Sequence, residues 1–134
     1  MADTSGKTLR VELVAADRLV WSGDATMVIA RTTEGDVGIL PNHAPLLSSI
    51  IEGVVDVQTA EGETWVAAVD AGFLSVADNR VSILSERAEM SHEIDLEKAR
   101  QELERAQGAG ADDDEAKEAV RRAEARVRAV ERAS

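Results

Sequence analysis

Cysteine and tyrosine are absent from this chain, and two tryptophans and one phenylalanine make up its aromatic complement. Without a thiol there is no disulfide scaffold, no thiolate zinc site and no cysteine nucleophile, which fits a reducing compartment. With so few aromatics the core has to be assembled from Val, Leu, Ile and Ala. Basic residues are in the minority. The formal net charge of -11 argues against nucleic acid or an anionic lipid surface as the main partner, since both call for a basic footprint. No run of about 18 apolar residues occurs. The segment from Met1 to Leu9 is polar and lacks a secretory leader's apolar stretch. A soluble, cytoplasmic protein with no direct membrane insertion is expected.

What is present divides in two. At 134 residues, 44% of them hydrophobic, the chain has room for one globular domain, or a small domain with an appendage. From Thr8 to about Arg87 the dominant period is two, as in Leu9, Val11, Leu13 and again in Val55, Val57 alternating with Asp56, Gln58. Turn signals recur at Ser22-Gly23-Asp24, Glu34-Gly35-Asp36, Pro41-Asn42, Glu52-Gly53, Glu61-Gly62-Glu63 and Asp78-Asn79. Strands are expected near 9–14, 18–22, 25–33, 37–40, 45–50, 53–59, 64–69, 71–77 and 80–85, the pattern of a β-sandwich or barrel. After Arg87 the period turns helical. Asp95 is placed to cap a helix with Leu96, Ala99, Leu103 and Ala106 on one stripe. Gly108 to Asp114 breaks it. A second helix from about Asp113 to Arg132 carries Ala116, Val120, Ala123, Val127 and Val130 as one narrow seam. The two helices read as an antiparallel hairpin. Its Ala-rich seams bury little area, so it is expected to need a partner surface and to move on the sandwich. The division is drawn as 1–87 and 88–134.

Motifs for catalysis do not assemble. Gly6-Lys7-Thr8 has the letters that close a phosphate-binding loop, but the further glycine and the strand ahead of it are missing. His92-Glu93 opens like a zinc-protease motif, yet no second histidine follows at helical spacing, so no metal site is expected. His43 has neither a nucleophile elbow nor an orienting acid assigned to it, and reads as a loop-fixing or contact residue. Glu34 and Asp36 read as solvated turn acids.

Two features stand out as surfaces. The stretch Gly35 to Leu47 holds both prolines, and Pro41 and Pro45 hold Leu40 and Ala44 extended, so this loop is stiff. At the other end of the chain, residues 116–134 carry six Lys or Arg against three acids, after a strongly acidic stretch at 88–115. On a helical wheel Lys117, Arg121, Arg128 and Arg132 flank the seam, while Arg122 and Arg126 share the more solvent-facing side. Guanidinium groups so arrayed suit water, an acidic protein surface or a phosphate.

The segments Gly38-Ile39-Leu40-Pro41-Asn42-His43-Ala44-Pro45-Leu46-Leu47, Arg31-Thr32-Thr33-Glu34-Gly35 and Asp70-Ala71-Gly72-Phe73-Leu74, followed by the helical hairpin, together resemble one family. It is the epsilon subunit of the bacterial F-type rotary ATP synthase, and the likeness runs from Leu9 to about Arg132. The resemblance implies a ten-stranded β-sandwich followed by a two-helix hairpin. It implies a non-catalytic subunit of the proton-translocating complex, peripheral at the cytoplasmic face of the bacterial plasma membrane. Its partners would be the gamma subunit, the c-ring, and the beta and alpha subunits. Glu34, Asp36, Pro41 and His43 would then supply the contact with the c-ring and gamma. Arg121, Arg122, Arg126 and Arg128 would meet an acidic stretch of beta when the hairpin extends to inhibit ATP hydrolysis.

Some bacterial members of that family bind ATP between the folded helices through an Ile-Asp-x-x-Arg-Ala motif and further arginines. Here Ile94-Asp95-Leu96-Glu97-Lys98-Ala99 has lysine in place of the motif's arginine, and Arg105, Arg122 and Arg126 are the other matching cations. Lysine keeps the charge but loses the planar fork. No cofactor is required on this reading, and ATP enters only as a regulatory ligand. The contrasting class is a free-standing β-sandwich binding module, for a carbohydrate for instance, with a helical dimerisation tail. Its usual aromatic platform is missing.

Overall fold

The computed structural model describes residues 8–110 and 113–133. Gly6 and Lys7 of the rejected phosphate-loop reading, with Ala111 and Asp112 of the inter-helix break, lie outside the described residues. Nine strands come first: β1 (Leu9–Ala15), β2 (Leu19–Thr32), β3 (Gly35–Ile39), β4 (Leu46–Ile50), β5 (Gly53–Thr59), β6 (Thr64–Val69), β7 (Gly72–Ala77), β8 (Arg80–Ser85) and β9 (Ala88–Met90). A single 3-10 turn, Ser91–Glu93, leads to α1 (Leu96–Gly108) and α2 (Asp114–Ala133). The sheet path is β1-β8-β7-β4-β2-β5-β6-β9, with β1 also paired to β2 and β3 paired to β2 off this path.

The long β2 explains how one path makes two layers. Its first half pairs with β1 from Trp21 opposite Leu13 to Ala25 opposite Leu9, and its second half pairs with β3 and β5. Sequence reading splits this segment into strands at 18–22 and 25–33, taking Ser22-Gly23-Asp24 for a turn. Instead the strand runs through it, passing from one layer to the other, with a register shift between Ala25 and Met27 against β5. Counting its halves separately brings nine strands to the ten that the resemblance implies. Strand β9, absent from the expected set, continues the sheet beyond residue 87 by pairing Ala88 with Val69 and Met90 with Ala67.

Between the layers lies a core of aliphatic side chains, with Leu9, Val11, Val28, Ile39, Val55, Leu74 and Ile83 fully buried. The alternation legible in β1, β7 and β8 is the inward half of this core. In β5 and β6 the alternation fails. Val54, Val66 and Ala68 point away from the first core into a second one, with Ile94, Ala99, Ala125 and Ala129. These two strands are covered on both faces because α2 lies across them. Asp95 caps α1 as expected, its side chain accepting from the Lys98 N–H at 3.2 Å, and Asp113 does the same for the Ala116 N–H at 2.8 Å ahead of α2.

Candidate functional site: an arginine and carboxylate clamp under the second helix

Helix α2 reaches the sheet with alanine. Ala125 and Ala129 are 3% and 0% exposed, and a methyl group at the contact lets the helix axis come close to the strands. That closeness brings the flanking guanidinium groups down onto the sheet. On one side of the alanine stripe the Arg121 Nε donates to Glu52 Oε1 at 2.9 Å, and Arg132 Nη2 lies 3.0 Å from Asp56 Oδ2. On the other side the Arg122 Nε donates to Asp70 Oδ2 at 3.0 Å. Arg126, between sheet and α1, pairs with Glu89 of β9 through Nε at 3.0 Å and with Glu102 of α1 through Nη1. The Nε approach to Glu89 is off line, so it is an ion pair without a hydrogen bond; Nη2 reaches Glu89 Oε2 at 3.5 Å.

Three of these carboxylates are buried: Glu52, Asp56 and Asp70 keep 7%, 8% and 5% of their surface. Burial raises the pKa of Asp70, and the Arg122 charge and hydrogen bond pull it part of the way back. Asp56 is likewise raised by burial and drawn down by Arg132, with Asp36 adding a smaller upward push. Arg126 loses by burial but gains more from Glu102 and Glu89, and its pKa is raised. The Asp70 backbone is fixed too: its N–H lies 2.9 Å from Ser85 Oγ, whose hydroxyl donates to the Arg87 carbonyl at 2.6 Å. A cavity of about 280 Å3 opens beside this group, with Asp70, Arg87, Glu89, Glu102, Arg122 and Arg126 on its walls.

The link into the hairpin is held by other groups. Arg18 Nη2 binds both oxygens of Glu93 at 3.1 Å, and Glu93 also accepts from the Met90 N–H at 2.9 Å. That backbone hydrogen bond does most to lower the Glu93 pKa; burial opposes it, and the Arg18 hydrogen bond and charge lower it further. His92 sets its ring edge-on to Trp65 at 5.7 Å. Among the described residues no group of three metal-ligating side chains gathers.

Sequence reading places Arg122 and Arg126 on the solvent side of α2. They are instead its least exposed arginine side chains in the clamp, 37% and 21%, because the helix turns that flank toward both sheet and α1. Arg128 is exposed, beside Arg31, and takes no part in these pairs. The residues of the nucleotide motif are not brought together. Ile94 is in the second core and Asp95 caps α1, while Lys98 and Arg105 are exposed and outside the cavity that Arg122 and Arg126 line. The four loop residues also separate. Glu34 sits in the β2–β3 turn, held by its N–H to Thr32 Oγ1 at 3.1 Å, at the end of β4 marked by Ile50, and Asp36 lies opposite Arg31. Pro41 and His43 belong to a second turn, which leads into the other end of β4. Between the two turns runs the edge strand β3.

The carboxylate row was missed because Asp56 looks like the outward half of an alternating strand. The runs Val54-Val55-Asp56-Val57 and Val66-Ala67-Ala68-Val69 carry the contrary signal, since continuous apolar strands are covered on both faces. By class this is a β-sandwich with a helical hairpin docked on it through a row of its own acids.

A family model described as ATP synthase, Delta/Epsilon chain, beta-sandwich domain matches residues 8–91. The chain is 56% identical over 122 residues to the ATP synthase epsilon chain of Streptomyces avermitilis, covering 91% of this chain and 94% of that one. To the epsilon chain of Rhodococcus opacus it is 48% identical over 126 residues, covering 93% and 98%. A chain in the cryo-EM structure of the Euglena gracilis mitochondrial ATP synthase, OSCP/F1/c-ring, superposes with a TM-score of 0.77 at 24% identity, over 88% of this chain and 78% of that one. The chain belongs to the ATP synthase epsilon chains.

Proposed function

We propose that this chain is a non-catalytic central-stalk subunit whose sandwich couples gamma to the c-ring and whose α2, when released, restrains ATP hydrolysis at the beta and alpha subunits. The observation that carries the regulatory half is the clamp. Arg121, Arg122 and Arg126, three of the four arginines assigned to the inhibitory contact, are bound to Glu52, Asp70, Glu89 and Glu102 within the chain. Binding an acidic stretch of beta requires these pairs to be given up first, so the folded hairpin is the non-inhibiting state. Arg128 is already exposed and makes the first encounter.

For the ring, the proposed surface is the β3 edge, with Glu34 and Asp36 at one end and Pro41 and His43 at the other. Acids there suit basic groups on a ring loop. For gamma, the sheet face away from the helices offers Leu47, Phe73 and Leu84, which are 75%, 56% and 51% exposed. Phe73 pairs across the strands with Ser49 and Leu84, so the apolar groups share one face. No helix among the described residues is long and apolar enough to cross a membrane. Membership of the epsilon chains supports a peripheral place, proposed to be at the cytoplasmic face of the bacterial plasma membrane.

A regulatory nucleotide is a second reading, favoured by Arg122 and Arg126 on the walls of one cavity. Asp70, Glu89 and Glu102 share those walls, so ATP binding is proposed to need a rearranged hairpin. Isothermal titration with ATP decides it: a flat titration at millimolar nucleotide retires the reading. The main proposal is tested by cutting the chain after Met90, which keeps β9 paired, and assembling it into the complex. Proton pumping should stay coupled while ATP hydrolysis rises. Unchanged hydrolysis would remove the inhibitory half.

A further inference from the structure

Residues Leu40 to Pro45 connect two strands of different layers and pair with neither, yet they hold the turn assigned above to the ring. The turn's internal shape is local. The His43 N–H donates to the Leu40 carbonyl at 3.1 Å, with Pro41 at the second position and Asn42 at φ 70 in the third, as a type II turn requires. Local bonds of this kind set the bend but not the direction in which it points.

The direction is set from elsewhere in the chain. Asn79 lies 37 residues further on, in the two-residue turn between β7 and β8, where Asp78 and Asn79 both have positive φ, as a type I′ hairpin turn demands. Its backbone is anchored on two sides: Ala77 opposes Arg80 across the turn, and the Asn79 carbonyl accepts from the Arg10 N–H of β1 at 2.8 Å. From that fixed base its side chain reaches the Pro41 turn. Its Oδ1 accepts the Asn42 N–H, and its Nδ2 donates to Asn42 Oδ1 at 3.3 Å. One carboxamide thus meets a backbone donor and a side-chain acceptor, which a carboxylate, an acceptor only, cannot do.

We propose that Asn79 is a positioning residue that fixes the presentation of the Pro41-Asn42-His43 turn toward its partner. This rests on the ring contact proposed for His43 and adds a residue outside the loop itself. Stiffness from two prolines is not enough on this account; the turn must also be fastened to the sheet.

Glycine tolerates the positive φ of position 79, so N79G removes the side-chain tie without straining the β7–β8 turn. In the full chain, N79G should keep the wild-type unfolding midpoint closely and the slow amide exchange of the β1 and β8 strands. The Asn42 amide, hydrogen-bonded in the wild type, should exchange about tenfold faster or more. Binding of the chain to a purified gamma and c-ring assembly should weaken several-fold, and H43A should weaken it as well. Unchanged Asn42 exchange in N79G overturns the proposal whatever happens at the ring. Faster exchange with normal binding, while H43A binds poorly, also overturns it and leaves the ring contact standing. If both variants bind normally, the ring contact falls and the positioning role falls with it.

Discussion

Gly72 shows how far a single residue can be constrained by its neighbour across a strand pair. A Cβ there would lie 1.8 Å from the Leu84 carbonyl oxygen, a backbone atom that cannot swing aside. G72A should therefore cost about 2 kcal/mol or more, read as a fall in the denaturation midpoint. G38A, where an added carbon meets nothing within 4 Å, should change stability by less than about 0.5 kcal/mol. Asp70 illustrates a different constraint. Its folded pKa lies above its ordinary value of 3.8, so the folded state holds the proton more tightly than the unfolded one. The stability this contributes is present in acid and is lost as pH rises from about 3.8 through the folded value. In unfolding titrations D70N should gain on the wild type across that window and level off above it; a gap that stays constant with pH would contradict the burial of this carboxylate. Glu93, whose pKa is lowered, has the opposite sign. E93Q should cost stability at neutral pH and cost progressively less in acid as the wild type takes up its proton. The burial of Asp70 is not legible from its neighbours in sequence, because it sits just past the end of β6 and is covered by a helix some fifty residues away.

At the scale of the element, what the sequence disclosed and what it hid follow from the same physics. Period two in β1, β7 and β8 survives because only one face of these strands is covered. The cap Asp95 is local and is legible for that reason. The sequence shows one seam in α2, Ala116 to Val130, yet the helix buries Ala125 and Ala129 in the second core as well as Ala123 of that seam. Alanine is a weak marker of burial, which is why the burial of Ala125 and Ala129 stayed hidden. Removing one partner of a buried pair costs more than the pair contributes net, so the clamp is a sensitive place to perturb docking. R126A leaves Glu89 and Glu102 without their shared partner and should weaken docking of the hairpin by about 1–3 kcal/mol. Amide exchange in α2 should then quicken while β1 and β8 stay protected. R128A, outside the clamp, should leave both unchanged.

At the scale of the whole molecule, the proposed function is a competition between two acidic surfaces for one basic helix. The sandwich supplies Glu52, Asp56, Asp70 and Glu89; the catalytic subunits are proposed to supply the other. Buried ion pairs return little beyond the desolvation they offset, so the clamp is specific without being strong, which suits the opening proposed for the arm. The chain has no cysteine, so a disulfide can be introduced against a clean background. Val54 of β5 and Ala125 of α2 belong to the same second core, and a V54C, A125C pair that oxidises to a disulfide would tie the arm down. The most direct test is the ATP hydrolysis rate of the assembled complex carrying this pair, oxidised and then reduced. The account predicts that oxidation raises hydrolysis to the level of the chain cut after Met90, and that reduction restores the inhibited rate. Equal, inhibited rates in both states, with the disulfide formed, would contradict it.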